Sequence, residues 1–155
     1  MKEATAHSRP QSKILPGPAD LRHYPAHHLV AWQPRGVLDD RLLDDIAEWL
    51  VAIEKVSLPF KRYIDLSHLT NISLRTRHVL DFARKRAEQF RGTKPVQSAV
   101  FSDDWVGYGI ATLYESLMAN TLIKVRAFRD RLGAAEWLEV PAAILNLDDR
   151  PAERP

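Results

Sequence analysis

The segment from Arg62 to Arg91 constrains the fold more than any other part of the chain. Its first residues, Tyr63–Leu66, have the short apolar profile of a buried strand. The charged run from Leu74 to Arg91 has helical spacing. Ser73 suits an N-cap because its hydroxyl can accept a free backbone N–H of the first turn. A strand followed by a helix that returns across the sheet is half of a parallel unit, so the segment predicts an α/β fold.

Length and composition limit the classes of protein to consider. The chain has 155 residues, which is enough for one domain with a substantial core. Its formal net charge is +2, so no overall field marks a polyanion-binding protein. It contains no cysteine, which excludes disulfides, thiolate nucleophiles and cysteine-based metal sites. The sequence has neither a signal-peptide pattern nor an apolar run long enough for a membrane span, and we therefore expect a cytoplasmic protein.

Proline-rich and polar segments mark the ends of the folded region. We expect residues 1–19 to form a flexible tail, residues 20–140 to form a single domain, and residues 141–155 to form a second tail. The first tail contains three prolines and few residues that could pack into a core. The second begins at Pro141 and ends in a charged, proline-containing run.

The domain contains alternating strand and helix patterns in the order β-β-α-β-α-β-α-β-α. Clean alternation at Ile123–Phe128 suggests that one sheet face is wet and that the helices gather on the other. We therefore predict a five-stranded mixed, mostly parallel sheet with helices packed mainly on one face. The other predicted elements are strands at Leu21–Tyr24, His28–Gln33 and Pro95–Ser102 and three helices. The first helix runs from Asp39 as N-cap to Leu58-Pro59, the third spans Asp104–Asn120 with Asp103 and Asp104 interpreted as capping residues, and a short last helix is capped by Asp130.

Three segments of the domain resemble the STAS-like (SpoIIAA-like) family. They are YIDLSHLTNIS at residues 63–73, AVFSDDWVGYGIATLYESL at residues 99–117 and VRAFRDRLGAAEWL at residues 125–138. The resemblance extends over residues 19–138, roughly three quarters of the chain. It implies the α/β fold predicted above and a regulatory module that binds a partner.

The resemblance also implies where a phosphorylation switch would lie. Anti-anti-sigma members carry an Asp-Ser-Ser-Gly sequence in which a serine at the start of the second helix is phosphorylated. The corresponding stretch here is Ser73-Leu74-Arg75-Thr76, with leucine and arginine in place of the two serines. We therefore expect the switch to be lost, and we interpret Ser73 as a helix cap rather than a phosphoacceptor.

Cationic and aromatic side chains along the second helix predict a partner-binding surface. Beside an apolar stripe that includes Val79, Leu80 and Ala87, helical spacing brings together Arg75, His78, Phe82 and Arg86. Phe82 either belongs to this contact surface or packs beneath a neighbouring helix. The first helix is acidic, so charge pairing with a second copy or another protein is expected. Acidic residues four positions from arginines can pair within the second helix and aromatic residues are few, so we expect no nucleic-acid partner.

The carboxyl ends of the parallel strands predict where a small ligand would bind, because open α/β sheets hold ligands there. On the third helix, a second stripe of small residues, tyrosine and methionine either packs against a neighbouring helix or lines an apolar pocket. The candidate pocket residues are Ser67, His68, Asp103, Trp105, Gly107, Tyr108, Tyr114 and Met118. STAS-like sheets resemble those of SEC14-type lipid-transfer domains, so the alternative function is a carrier or sensor of a small apolar ligand.

No residue set in the sequence specifies a reaction. The six histidines have no metal-ligand spacing on a predicted helix, and we expect no metal site. A nucleophile elbow and a phosphate-binding glycine loop are absent from the sequence. An enzyme built on Asp103, Asp104 or His68 would still lack a nucleophile, a base and an oxyanion donor that converge. We therefore predict a non-catalytic interaction module without a cofactor.

Overall fold

The computed structural model describes residues 13–14, 21–56 and 61–147. Most elements lie within one or two residues of the predicted positions, and the predicted end of the first helix at Leu58-Pro59 lies outside the described residues. The elements in chain order are β1 (Lys13–Ile14), β2 (Leu21–Tyr24), β3 (Leu29–Trp32), β4 (Gly36–Asp39), α1 (Asp40–Val56), β5 (Lys61–Asp65), β6 (Leu69–Ser73), α2 (Thr76–Gln89), β7 (Val96–Phe101), α3 (Trp105–Leu117), β8 (Ile123–Phe128) and α4 (Arg131–Leu138), with 3-10 helices at Pro25–His27 and Ala142–Leu145.

The main sheet has the strand order β1-β2-β3-β5-β7-β8. Strands β1, β2 and β3 are antiparallel neighbours, whereas the pairs from β3 through β5 and β7 to β8 are parallel. Tyr63 pairs with Ala99, which places the crossover strand beside the strand that follows it, as predicted. The predicted five-stranded mixed sheet is confirmed, and the two-residue β1 adds to it at one edge.

The helices are distributed unequally over the two faces of the sheet. Helices α1, α2 and α3 cover one face, where alternate strand residues such as Val100 belong to the larger core. Helix α4 lies on the opposite face, and its Ala134 and Leu138 form a second core with Tyr63 and Ala99. The prediction of helices mainly on one face is confirmed. The expectation that the other face is wet is wrong, because α4 covers it.

The fold extends beyond the predicted boundary at residue 140. Leu145, in the second 3-10 helix, and Leu147 are completely buried in the core beneath α4. Residues 141–147 are therefore part of the domain and not of a tail. Within the predicted first tail, Lys13 pairs with His23 in the sheet. The rest of the predicted tails, residues 1–12, 15–19 and 148–155, lies outside the described residues.

Two parallel strands, β4 and β6, form a second sheet. In the sequence, β4 directly precedes α1 and β6 precedes α2. Ser73 is the last residue of β6 and pairs with Asp39. The prediction that Ser73 caps α2 is therefore wrong, because its backbone is part of a strand. The residue before the helix is Arg75, whose side chain makes no capping bond. Its backbone N–H donates instead to the Asp40 carboxylate across 3.1 Å.

Aspartates begin three of the helices as predicted. The Asp104 carboxylate accepts hydrogen bonds from the backbone N–H groups of Val106 and Gly107 at the start of α3. The Asp130 carboxylate accepts from Gly133 N–H across 2.6 Å. At the start of α1, Asp39 accepts from the Leu42 N–H across 2.9 Å. Each carboxylate satisfies donors that have no partner within the helix.

Helices α2 and α3 are rotated relative to the predicted orientation. In α2 the buried residues are Val79, Phe82, Ala83 and Arg86, whereas Leu80 and Ala87 from the predicted stripe are exposed. In α3 the buried residues are Gly107 and Ala111, which belong to the second stripe of small residues, tyrosine and methionine. These two residues therefore pack inside the protein, one of the two alternatives given for that stripe. Adding a Cβ atom at Gly107 would overlap the Ser102 hydroxyl, so the helix lies close to the end of β7.

Strand β8 forms one edge of the main sheet. The Ala127 N–H donates a hydrogen bond to the Glu115 carboxylate of α3 across 2.9 Å instead of to another strand. Lys124 and Arg126 on the same strand are exposed. Among the helices that the structure describes, none has the length and apolar character needed to cross a bilayer.

Candidate functional site

A polar cleft of about 240 Å³ lies where β5 and β7 end, at the edge of the sheet where the sequence predicts ligand binding. The predicted pocket residues Ser67, Asp103 and Gly107 line it. Segment Leu69–Ile72 of β6 and the first turn of α3 form its other walls. The structure therefore brings three of the eight predicted pocket residues together in one cleft.

Asp65, the last residue of β5, organises the polar groups beside this cleft. One of its oxygens accepts from the Ser67 backbone N–H at 2.9 Å and from the Ser67 hydroxyl at 2.6 Å. The other oxygen accepts from Gln33 Nε2 and Arg131 Nη2, both at 3.2 Å. Because four donors, one of them a guanidinium, surround this buried carboxylate, Asp65 connects the end of β3, β5 and α4. The sequence signal, an aspartate at the end of an apolar strand, was not used in the prediction.

His68 belongs to a neighbouring part of the same sheet edge. Its Nδ1 lies 3.3 Å from Arg35 Nη1. Arg35 also donates from Nη2 to the Gln33 side chain across 2.9 Å, and Gln33 in turn donates to Asp65. This chain of bonds holds His68 beside the cleft but outside its lining residues. Within the ranges 13–14, 21–56 and 61–147, no group of three potential ligands is arranged to hold a metal ion.

Trp105 and Tyr108 lie on the outside of the protein, next to the cleft. Trp105 is 73% exposed, and the Arg129 guanidinium lies 3.8 Å from its ring centre. The Tyr108 ring meets that of Trp105 edge-on, with centroids 6.1 Å apart. Val106 is also exposed and borders the cleft. We refer to Trp105, Val106, Tyr108 and Arg129 as the aromatic surface.

The predicted partner residues Arg75 and His78 bind the acidic helix α1 of the same chain. Arg75 Nε lies 2.5 Å from Asp40 Oδ2, and His78 Nε2 lies 2.7 Å from Asp44 Oδ1. The hydrogen bond from the Arg75 side chain holds the pKa of the Asp40 carboxyl below its usual value. The charge complementarity between these helices, expected between molecules, is thus used within one molecule.

The other two predicted partner residues, Phe82 and Arg86, face the core. Phe82 packs against Tyr114, with ring centroids 5.5 Å apart. The Arg86 side chain has 0% exposure, and its Nη2 donates to Glu54 Oε2 across 2.5 Å. The four residues therefore do not form an exposed contact surface. The sequence predicted an exposed Arg86 because arginine is rarely buried without a partner. Its partner, Glu54, lies 32 positions away in the chain.

Glu54 is shared by two buried arginines. Its Oε2 also accepts a hydrogen bond from Arg62 Nη2, in the middle of the sheet. Burial lowers the pKa of the Arg62 guanidinium, and the neighbouring Arg86 charge acts in the same direction, whereas Glu54 opposes both. Two cations and one carboxylate leave one positive charge in excess. Among the described residues, Arg62 Nε, Arg86 Nε and Arg86 Nη1 have no hydrogen-bond partner. We refer to Arg62 and Arg86 as the arginine pair.

A cavity of about 110 Å³ separates the sheet from helices α1, α2 and α3 beside the arginine pair. Its walls are almost entirely apolar, and Arg62 and Tyr114 are among its few polar residues. Burial raises the pKa of the Tyr114 hydroxyl. Met118, predicted to line a pocket with Tyr114, is buried in the larger core and is not among the cavity residues.

The fold and these sites define a mixed α/β domain with a polar cleft, an exposed aromatic surface and a largely apolar cavity that Arg62 lines. No protein-family model matches the sequence, and no curated protein matches it. A solved structure similar to this chain is that of an uncharacterized protein from the DUF3478 family with a SpoIIAA-like fold, from Shewanella loihica PV-4. The chains are 16% identical with a TM-score of 0.44, and the match covers 82% of this chain and 91% of the other.

Proposed function

We propose that the protein is a non-catalytic STAS-like module that recognises a protein partner through the aromatic surface. The observation that carries this proposal is the exposure of Trp105, which is held in place beneath the Arg129 guanidinium. Tryptophan, tyrosine and arginine are the residues that most often dominate binding energy at protein interfaces. Their ordering before binding reduces the entropy cost of association.

The position of the aromatic surface supports the same function. It adjoins the polar cleft at the carboxyl ends of the parallel strands, where open α/β folds bind their ligands. A partner segment on Trp105 would therefore reach cleft groups such as Ser67 and Asn71. The partner surface thus moves from α2, where we predicted it, to the start of α3.

The proposal includes the absence of catalysis, which is supported by the structural contacts that the polar residues near the cleft already make. Asp104 caps α3, and Asp65 is occupied by four donors. His68 is engaged by Arg35. The Ser67 hydroxyl donates to Asp65, but Gln33 and Arg131 bind the same carboxylate, which fits a structural network better than a base that must take up a proton.

A small-ligand carrier or sensor is the second candidate function. The observation that favours it is the cavity, since a natural core is normally packed without large voids. Of the eight predicted pocket residues, Tyr114 lines the cavity. This function is independent of the aromatic surface and is tested separately below.

Variants of the exposed residues test partner recognition. Trp105→Ala removes the centre of the aromatic surface, and Leu80→Ala, on the exposed side of α2, is the matched control. We expect the wild-type protein and the control to bind a stoichiometric partner, or to form a dimer in light scattering. Trp105→Ala should weaken the affinity of that association by at least about tenfold. Equal binding by Trp105→Ala and the control would contradict the proposal.

A further inference from the structure

We propose that the internal cavity binds a small apolar monocarboxylate, with its carboxylate on the arginine pair and its hydrocarbon part against the apolar walls. The inference rests on the second function proposed above, small-ligand binding, and specifies the charge and the size of the ligand. It does not involve the aromatic surface.

The charge of the ligand follows from the imbalance in the core. Arg62 and Arg86 both donate to one oxygen of Glu54, so one buried positive charge has no counterion among the described residues. An uncompensated charge inside a protein is costly, and buried ions are normally paired. One additional carboxylate restores neutrality.

The hydrogen-bonding groups of the arginine pair fit the same ligand. In the described part of the chain, Arg62 Nε, Arg86 Nε and Arg86 Nη1 have no acceptor. A guanidinium presents its N–H groups in a planar fork that matches the two oxygens of a carboxylate. Because Arg62 lines the cavity, a carboxylate bound there would supply an acceptor to its unused Nε–H, and Arg86 would contribute through its charge.

The positive charge lies at the wall of the apolar cavity. Arg62 lines the cavity directly, and Arg86 is bonded to the same Glu54 oxygen. Phe82 and Tyr114 line the cavity and lie in contact with each other. An acid bound here has its polar end at the arginines and its apolar end among aromatic and aliphatic side chains.

The volume limits the size of the hydrocarbon part. An apolar protein cavity of about 150 Å³ binds benzene. A volume of about 110 Å³ therefore accepts a chain or ring of about four to six carbon atoms without rearrangement of the core. Short-chain and small aromatic carboxylic acids meet this limit, whereas long-chain lipids exceed it.

Calorimetric titration with hexanoate and 1-hexanol tests the proposal, because the two probes share a chain and differ in charge. We expect hexanoate to bind the full chain at least about tenfold more tightly than 1-hexanol at neutral pH, the effect of a charged hydrogen bond. Arg86→Met should reduce this preference to less than about threefold, since it leaves Glu54 and Arg62 as a neutral pair. Arg84→Met, an exposed change on the same helix, should retain it.

A second variant locates the site. Ala111→Val places two additional methyl groups in the cavity wall and should weaken the binding of both hexanoate and 1-hexanol. If Arg86→Met fails to fold, Arg62→Met makes the same change of charge. Equal affinity for hexanoate and 1-hexanol, or an unchanged preference in the arginine variant, would overturn the inference while leaving small-ligand binding in place. No binding of either probe would overturn both.

Discussion

Arg86 of α2 donates a hydrogen bond to Glu54 of α1 across 2.5 Å inside the protein, where the arginine side chain is 0% exposed and the glutamate 9%. The bond joins two helices that both cover the same sheet face. Because Arg62 uses the same carboxylate, Glu54 is the one anion between two buried cations in this cluster. The cost of removing a member of the cluster depends on the sign of its charge.

Replacing Glu54 and replacing Arg86 should therefore have different effects on stability. Glu54→Ala leaves two buried guanidinium groups without a counterion and should lower the free energy of unfolding by about 3–5 kcal/mol. Arg86→Met leaves a balanced pair and should change it by less than about 1 kcal/mol. Urea unfolding measures both, with Glu48→Ala on the exposed side of α1 as the control. A larger loss for Arg86→Met than for Glu54→Ala would contradict this account.

The link between Asp40 and Arg75 should make stability sensitive to acid. The pKa of Asp40 in the folded protein lies below its ordinary value of 3.8, chiefly because of the Arg75 hydrogen bond. The unfolded chain then binds more protons in this range, so the stabilisation is present above the ordinary value and is lost as pH falls through the folded pKa. Asp40→Asn should flatten the dependence of the unfolding free energy on pH below about pH 4.

Urea unfolding at a series of pH values measures that dependence, and Asp45→Asn, an exposed change on the same helix, is the control. Parallel curves for Asp40→Asn and the wild-type protein would show that the Arg75 hydrogen bond has no energetic role. His78 faces the same helix, and its Nδ1 lies 3.9 Å from Asp40 Oδ2.

Gly107 and Gly109 should respond in opposite directions to alanine. At Gly107 a Cβ atom would overlap the Ser102 hydroxyl and lie 3.0 Å from the Ser102 Cβ, so α3 must shift. We expect a loss of about 1–3 kcal/mol in the free energy of unfolding. At Gly109 nothing lies within 4 Å, and alanine should raise it by about 0.5–1 kcal/mol through helix propensity. Thermal and urea unfolding compare them, and equal effects would refute the close approach at Gly107.

Leu145 should contribute to stability although it follows the predicted end of the domain. It is completely buried against α4 and the second face of the sheet. Leu145→Ala should lower the free energy of unfolding by about 2–5 kcal/mol, as for other buried leucines. The exposed neighbour Asn146 is the control, and Asn146→Ala should change it by less than about 0.5 kcal/mol. A Leu145→Ala variant as stable as the control would place this segment outside the cooperative fold.

Most strands of the main sheet and the aspartate helix caps could be predicted because their signals are local. The alternation at Ile123–Phe128 and the aspartate before α3 depend on neighbouring residues alone, and both predictions are confirmed. The orientation of α2 could not be predicted in this way. Its core face includes Arg86, whose burial is favourable only with Glu54, and no local pattern indicates a partner 32 positions away.

The candidate site was only partly predictable for the same reason. The cleft at the ends of β5 and β7 follows from the topology of a parallel sheet, and Ser67 and Asp103 were found by that rule. The pairing of β4 with β6 joins two short segments about 30 positions apart, which no local pattern indicates. For this reason Ser73 was predicted as a helix cap, whereas it lies in a strand. The cavity arises from the combined side chains of three helices and the sheet, which no single stretch of sequence specifies.

The carboxylate of Glu115, bonded to the Ala127 N–H on the last strand, affects how molecules of this protein can aggregate. A strand from a second molecule that docked on β8 would have to displace Glu115 and accept the neighbouring charges of Lys124 and Arg126. Continuous sheets running through many copies, as in fibrils, are therefore opposed at this end of the domain.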